Sequence, residues 1–314
     1  MDIRTPIRLL STVQLPDAVS RLFHDRFETI EGELADAGRI RPNALLCSIA
    51  GPRLDAAAID RLPPSLRVIA TYSVGYDHID IAAAKARGIV VFNTPGVLGD
   101  AVADAAMLLV LGAARRATES IALLRGGEWK GWSPLQLLGV ELAGKTMGIL
   151  GMGDIGQRIA MRARGFGLKI AYCNRRPSAE AADCRFVADP RALIAESDVV
   201  MLTWPSTPQT RRFINADTLA LAKPSAILVN IGRGDLIDDG ALIEALVEGR
   251  IFAAGLDVFD GEPAVDRRYF DLPNLFMLPH IGSSTVEARL AMGRILIAAI
   301  DRWAAGEQPP NQVG

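Results

Sequence analysis

Met147-Gly148-Ile149-Leu150-Gly151-Met152-Gly153-Asp154-Ile155-Gly156 is the stretch on which the fold turns. Its first four residues are a short apolar run of strand character, the next six are G-x-G-x-x-G, and residues 155–164 carry a helical pattern. In a bare chain such glycines can be an ordinary turn, but between a strand and a helix they build a phosphate-binding one. The first glycine permits the tight turn, the second lets backbone approach a diphosphate, and the third packs helix on strand. Gly151, Gly153, Asp154, Ile155 and Gly156 then set the helix N-terminus against the phosphates of a dinucleotide.

On both sides of this unit, short β-branched runs alternate with helical patterns, the signature of parallel sheets covered by helices. Strands are expected at 7–13, 44–49, 67–72 and 89–92, and again at 147–150, 169–173, 199–203, 226–231, 253–258 and 275–278. The class is α/β: two doubly wound parallel-sheet domains, a Rossmann cofactor domain inserted in a flavodoxin-like substrate domain. A last amphipathic helix, about 285–303, follows a completed second sheet, so the chain is expected to cross back. The substrate domain is assigned to residues 1–97 and 284–314 and the cofactor domain to 98–283. Residues 100–124 read as one long helix, too apolar to be solvated all round and expected to pack between domains or subunits. Gly126-Gly127 ends it, and residues 129–138 form a loop with two tryptophans, so about 100–140 is read as a dimerisation arm. The tail 309–312 reads as loose.

With 34 Lys and Arg against 36 Asp and Glu, the chain has no basic footprint for nucleic acid or an anionic membrane. Its partners are expected to be small molecules or other protein chains. Cys47, Cys173 and Cys184 have no C-x-x-C spacing, which argues for ordinary buried thiols and against a disulfide framework or a metal site. The start, residues 1–14, lacks a signal peptide's long apolar stretch, and the longest apolar run, 105–114, is half of the about 20 residues a membrane span needs. A cytoplasmic protein is the expectation.

An acidic residue about twenty positions beyond the glycine motif would hold the ribose hydroxyls of NAD. That place holds Asn174, followed by Arg175 and Arg176, which suit a 2′-phosphate. NADP(H) is favoured, with NAD(H) as the alternative. Three more segments end expected strands: Asn230-Ile231-Gly232-Arg233-Gly234, Gly255-Leu256-Asp257 running to Glu262-Pro263, and Pro279-His280-Ile281-Gly282-Ser283. Carboxyl ends of strands face the ligand crevice of an open α/β sheet, so an Arg, a Glu and a His converge on the cofactor side. Alone, each is as readily a loop charge, a turn residue or a strand cap. His24 and His78 read as a surface-helix and a loop residue.

The order and spacing of these motifs, with Tyr72-Ser73-Val74-Gly75-Tyr76-Asp77-His78 and Asn93-Thr94-Pro95-Gly96-Val97, resemble the D-isomer-specific 2-hydroxyacid dehydrogenases over nearly the whole chain. Trp129-Lys130-Gly131-Trp132-Ser133-Pro134-Leu135 is similar to the glyoxylate/hydroxypyruvate reductase branch. The resemblance implies that Arg233 binds the substrate's carboxylate and carbonyl oxygens, His280 donates the proton and Glu262 holds the imidazole. It implies that the Val74 and Gly75 amides clasp the substrate carboxylate, Asp257 orients the nicotinamide carboxamide, and Pro205, Thr210, Ile231 and Gly282 lie along the cofactor. It further implies a homodimer in which Trp132 reaches the neighbour's site, and domain closure over the substrate. The chain departs from the family pattern at Gly99, where threonine is frequent, and at Trp204. The expected activity is NADPH-preferring reduction of a small 2-oxo acid to the D-2-hydroxy acid. The alternatives are another 2-oxo acid, such as 2-ketogluconate, and a redox-sensing nucleotide-binding protein.

Overall fold

The computed structural model describes residues 6–314; the charged start at residues 1–5 lies outside them. Among the described residues, thirteen strands follow in chain order: β1 (Arg8–Ser11), β2 (Glu28–Glu31), β3 (Ala44–Cys47), β4 (Val68–Thr71), β5 (Val90–Phe92), β6 (Thr146–Leu150), β7 (Lys169–Cys173), β8 (Arg185–Phe186), β9 (Val199–Leu202), β10 (Ile227–Asn230), β11 (Ala253–Leu256), β12 (Leu275–Met277) and β13 (Gln312–Val313). They divide between two compact units, Met1–Leu98 with Ser284–Gly314, and Gly99–Ser283.

In the first unit the order is β2-β1-β3-β4-β5, all parallel, with β13 added antiparallel at the β5 edge. This is the flavodoxin-like order. β3 and β4 are buried at every position, hence their unbroken apolar runs, as expected of strands covered on both faces. β2 is missing from the expected strands because its sequence, Glu-Thr-Ile-Glu, is that of a partly exposed edge. The helix Val286–Ala304 lies on the helix Asp17–Arg26 and on β4. His24 is exposed on the latter helix, whereas His78 is buried and its Nε2 lies 3.2 Å from Thr71 Oγ1.

The tail needs correction. Residues 309–312 are not loose: Gln312 pairs with Phe92, and the Asn311 side-chain amide donates to the buried carbonyl of Asn93 at 2.7 Å.

In the second unit the order is β8-β7-β6-β9-β10-β11-β12, all parallel. Counted from β6 this is the 3-2-1-4-5-6 order of dinucleotide-binding sheets with a seventh strand added. The expected long helix is two, Gly99–Ala114 and Ala117–Arg125, broken where Arg116 turns left-handed (φ 52°). Its apolarity also has another cause than the one expected. The first helix packs inside its own unit, on the helix Asp154–Gly165 and on β10, β11 and β12. Cys47 and Cys173 are buried, but Cys184 is only half-buried, beside Arg164 and Asp183. No helix among the described residues is long and apolar enough to cross a membrane.

Candidate active site

At the end of β6 the chain turns through Gly151 at φ 116°, a conformation L side chains rarely adopt, and Thr203 Oγ1 bonds the Gly151 carbonyl at 2.5 Å. Gly153 caps the helix Asp154–Gly165 without a side-chain bond, and a Cβ placed on it would meet nothing within 4 Å. The start of this helix is thus left without a side-chain cap and with room beside Gly153, which fits a diphosphate. Asn174, at the end of β7, reaches back to the turn: its Oδ1 accepts the Met152 N–H at 2.8 Å. Arg175 and Arg176 beyond it are exposed. Thr210 closes the loop after β9 by donating to the Pro205 carbonyl at 2.7 Å, and Trp204 packs edge-on to Phe213.

The loops after β10, β11 and β12 are tied to one another. The fully buried Asn230 accepts the Gly232 N–H at 3.0 Å and donates to the Arg233 carbonyl at 2.8 Å, clamping the loop that carries Arg233. This task of Asn230 is not among the expectations drawn from the residues; a polar residue closing an apolar strand before Gly-Arg-Gly was the available signal. Gly234 lies so close to the Phe259 backbone that a Cβ would stand 1.9 Å from its carbonyl carbon. This pins the Arg233 loop to the segment bearing Glu262. The buried Asp257 accepts the Ile281 N–H at 2.7 Å and the Gly282 N–H at 2.8 Å, while its carbonyl accepts the His280 N–H at 2.8 Å. Ile231 is buried next to Gly282.

These clamps bring His280 Nδ1 to 2.7 Å from Glu262 Oε2, while Glu262 Oε1 accepts the Phe259 N–H at 2.7 Å. The hydrogen bond to Glu262 raises the His280 pKa above the ordinary imidazole value, and the Glu262 and Asp257 charges add to it; burial and Arg233 oppose. Burial works to raise the Glu262 carboxyl, but the bonds from His280 and Phe259 and the charges of His280 and Arg233 outweigh it and hold the group below its usual range. Burial leaves Asp257 raised, against its two amide bonds. Both shifts favour the ionised forms of the pair, and the bond to Glu262 uses Nδ1 of the ring rather than Nε2, with a guanidinium near enough to act on both members.

Val74 and Gly75 belong to the other unit, in the loop after β4. Asn93 Nδ2 bonds the Val74 carbonyl at 2.9 Å and Ser73 Oγ the Gly75 carbonyl at 2.6 Å. Trp132, in the segment expected to form a dimerisation arm, is 84% exposed. Among the described residues, no group of three or more His, Cys, Asp or Glu side chains is placed to hold a metal ion.

Residues 107–282 match the family model described as D-isomer specific 2-hydroxyacid dehydrogenase, NAD binding domain. A glyoxylate reductase of Thermococcus litoralis is 46% identical over 281 residues, 88% of this chain and 85% of that protein. A glyoxylate/hydroxypyruvate reductase B of Pectobacterium atrosepticum is 40% identical over 317 residues, 99% and 94% of the two chains. Among solved structures, the NADPH-dependent glyoxylate/hydroxypyruvate reductase of Sinorhizobium meliloti in complex with NADP and malonate superposes with a TM-score of 0.89 at 34% identity, covering 99% of this chain and 97% of that one. Likeness that runs through both units and includes the clamped Arg, Glu and His loops has one reading: the chain belongs to the D-isomer specific 2-hydroxyacid dehydrogenase family.

Proposed function

We propose that this chain reduces glyoxylate, hydroxypyruvate or a closely similar small 2-oxo acid to the D-2-hydroxy acid, prefers NADPH to NADH, and works as a homodimer in the cytoplasm. The observation that carries the reading is the His280–Glu262 pair at 2.7 Å, in a unit whose glycine turn fits a dinucleotide. The names of the relatives point to the same substrates.

A nicotinamide dinucleotide, when bound, supplies a hydride to the 2-oxo carbon. Gly151, Gly153 and the first turn from Asp154 and Ile155 would hold its diphosphate, and Ile231, Pro205, Thr210, Asp257 and Gly282 would line its nicotinamide half. His280, charged and with Nδ1 held by Glu262, passes the Nε2 proton to the carbonyl oxygen as negative charge gathers there and is left neutral. Glu262 remains ionised throughout, keeping the ring orientation and the donor nitrogen fixed. Arg233 meets the substrate's carboxylate and carbonyl oxygen with a planar fork of donors.

Support for NADPH is local: Asn174 brings no carboxylate to the ribose, and Arg175 and Arg176 stand exposed beside it. Support for the dimer is the arm, where Leu124, Trp129, Trp132, Leu135 and Leu138 are all exposed. The test is loss of NADPH or NADH absorbance with a panel of 2-oxo acids, and chiral analysis of the glycerate formed from hydroxypyruvate. NADPH should win in kcat/KM by roughly tenfold or more, and Asn174→Asp with Arg175→Ala should erase that margin. Equal use of both nucleotides would refute the preference, and absence of turnover on every acid would refute the activity.

A further inference from the structure

We propose that Arg158 is a positioning residue for the dinucleotide: it holds the Asp154 carboxylate away from the phosphate-binding turn, and Gly99 is the space that allows it. The inference rests on reading Gly151–Gly156 as that turn.

Asp154 opens the helix at which a diphosphate would dock. A carboxylate there suits the helix dipole of the free chain, but it opposes an arriving anion by Coulomb repulsion. Arg158, one turn along, takes Asp154 Oδ1 with Nε at 3.0 Å and Asp100 Oδ2 with Nη1 at 2.5 Å. Asp100 is shared with Arg162 at 3.0 Å, and Arg162 also takes Asp104 at 2.5 Å. The Asp154 carboxylate is thus drawn toward the start of the neighbouring helix Gly99–Ala114 and partly neutralised.

Gly99 supplies the independent observation. A Cβ there would stand 2.5 Å from Asp154 Oδ2 and 2.6 Å from Arg158 Cδ and Nε. Its backbone is not in the left-handed region that would by itself call for glycine, and glycine is a poor helix former. What any side chain at 99 would displace is this ion pair. The atoms that would have to move are tips of flexible side chains, so the fold can survive the change while the pair cannot keep its geometry.

The test is the NADPH dissociation constant, read by nucleotide fluorescence at low ionic strength on the full chain. Arg158→Met should raise it about fivefold, an effect that shrinks as salt screens the released carboxylate. Gly99→Ala should raise it in the same direction. Adding Asp154→Asn to either should bring it back to within about twofold of the parent chain, because the charge to be held is gone. Should either first variant fail to fold by circular dichroism, Asp154→Asn alone still decides: it should tighten NADPH, and weakening would overturn the proposal. An unchanged constant in Arg158→Met, or no recovery in the double variants, would overturn it too. A parent chain that binds neither NADPH nor NADH would show, before any substitution, that the reading of the turn is wrong and this inference with it.

Discussion

His280 is held at φ 53°, where a non-glycine side chain sits at a cost of about 1–3 kcal/mol. It is kept there by its own N–H on the Asp257 carbonyl and by the two following amides on the Asp257 carboxylate, and the backbone so bent brings the ring to Glu262. Because the proposed reduction takes a proton from the His280 imidazolium, turnover should fall as pH rises through the His280 pKa. Glu262 raises that pKa. Glu262→Gln should therefore move the alkaline limb of the kcat profile down toward about 6.5, with a loss at pH 7.5 of about tenfold or more. An unshifted limb would exclude Glu262 as the group that charges His280. The residue types were legible at this scale, since Arg, Glu and His each end an expected strand. Their contact distances were not, because each side chain is aimed by backbone bonds from a different loop.

At the scale of elements, the apolar runs announced the buried strands, whereas β2 and β8 escaped because edges carry polar residues. The break at Arg116 escaped because residues 114–118, Ala-Arg-Arg-Ala-Thr, carry no Gly or Pro. The bond that accompanies it, Arg116 to Glu119 at 2.5 Å, is ordinary helix chemistry. Loop-to-loop packing escaped for a further reason: Gly234 looks like any turn glycine until Phe259 is set against it. Gly234→Ala should cost about 3 kcal/mol through this backbone clash. It should lower the urea midpoint and abolish activity together, by freeing the Arg233 loop from the Glu262 segment. A variant with parental stability and turnover would show that the contact is slack.

For the molecule as a whole, the proposed dimer rests on Trp132 and Leu135, 84% and 80% exposed in the single chain. Light scattering should give twice the 33.6 kDa chain mass, and Leu135→Glu should reduce it to one. A monomeric parent chain would rule the dimer out. What the linear order of residues determined by itself was the α/β class, the strand-turn-helix of the glycine motif and which groups are proposed for the chemistry. These follow from periodicity and turn preference, which act between near neighbours. Sheet order, the burial of Asn311 on Asn93 across 218 positions, the meeting of Glu262 with His280 across 18, and the closeness of Gly99 to the Asp154 and Arg158 side chains were decided only by the tertiary structure. Each depends on which distant segments are packed side by side, and no local rule of sequence carries that information.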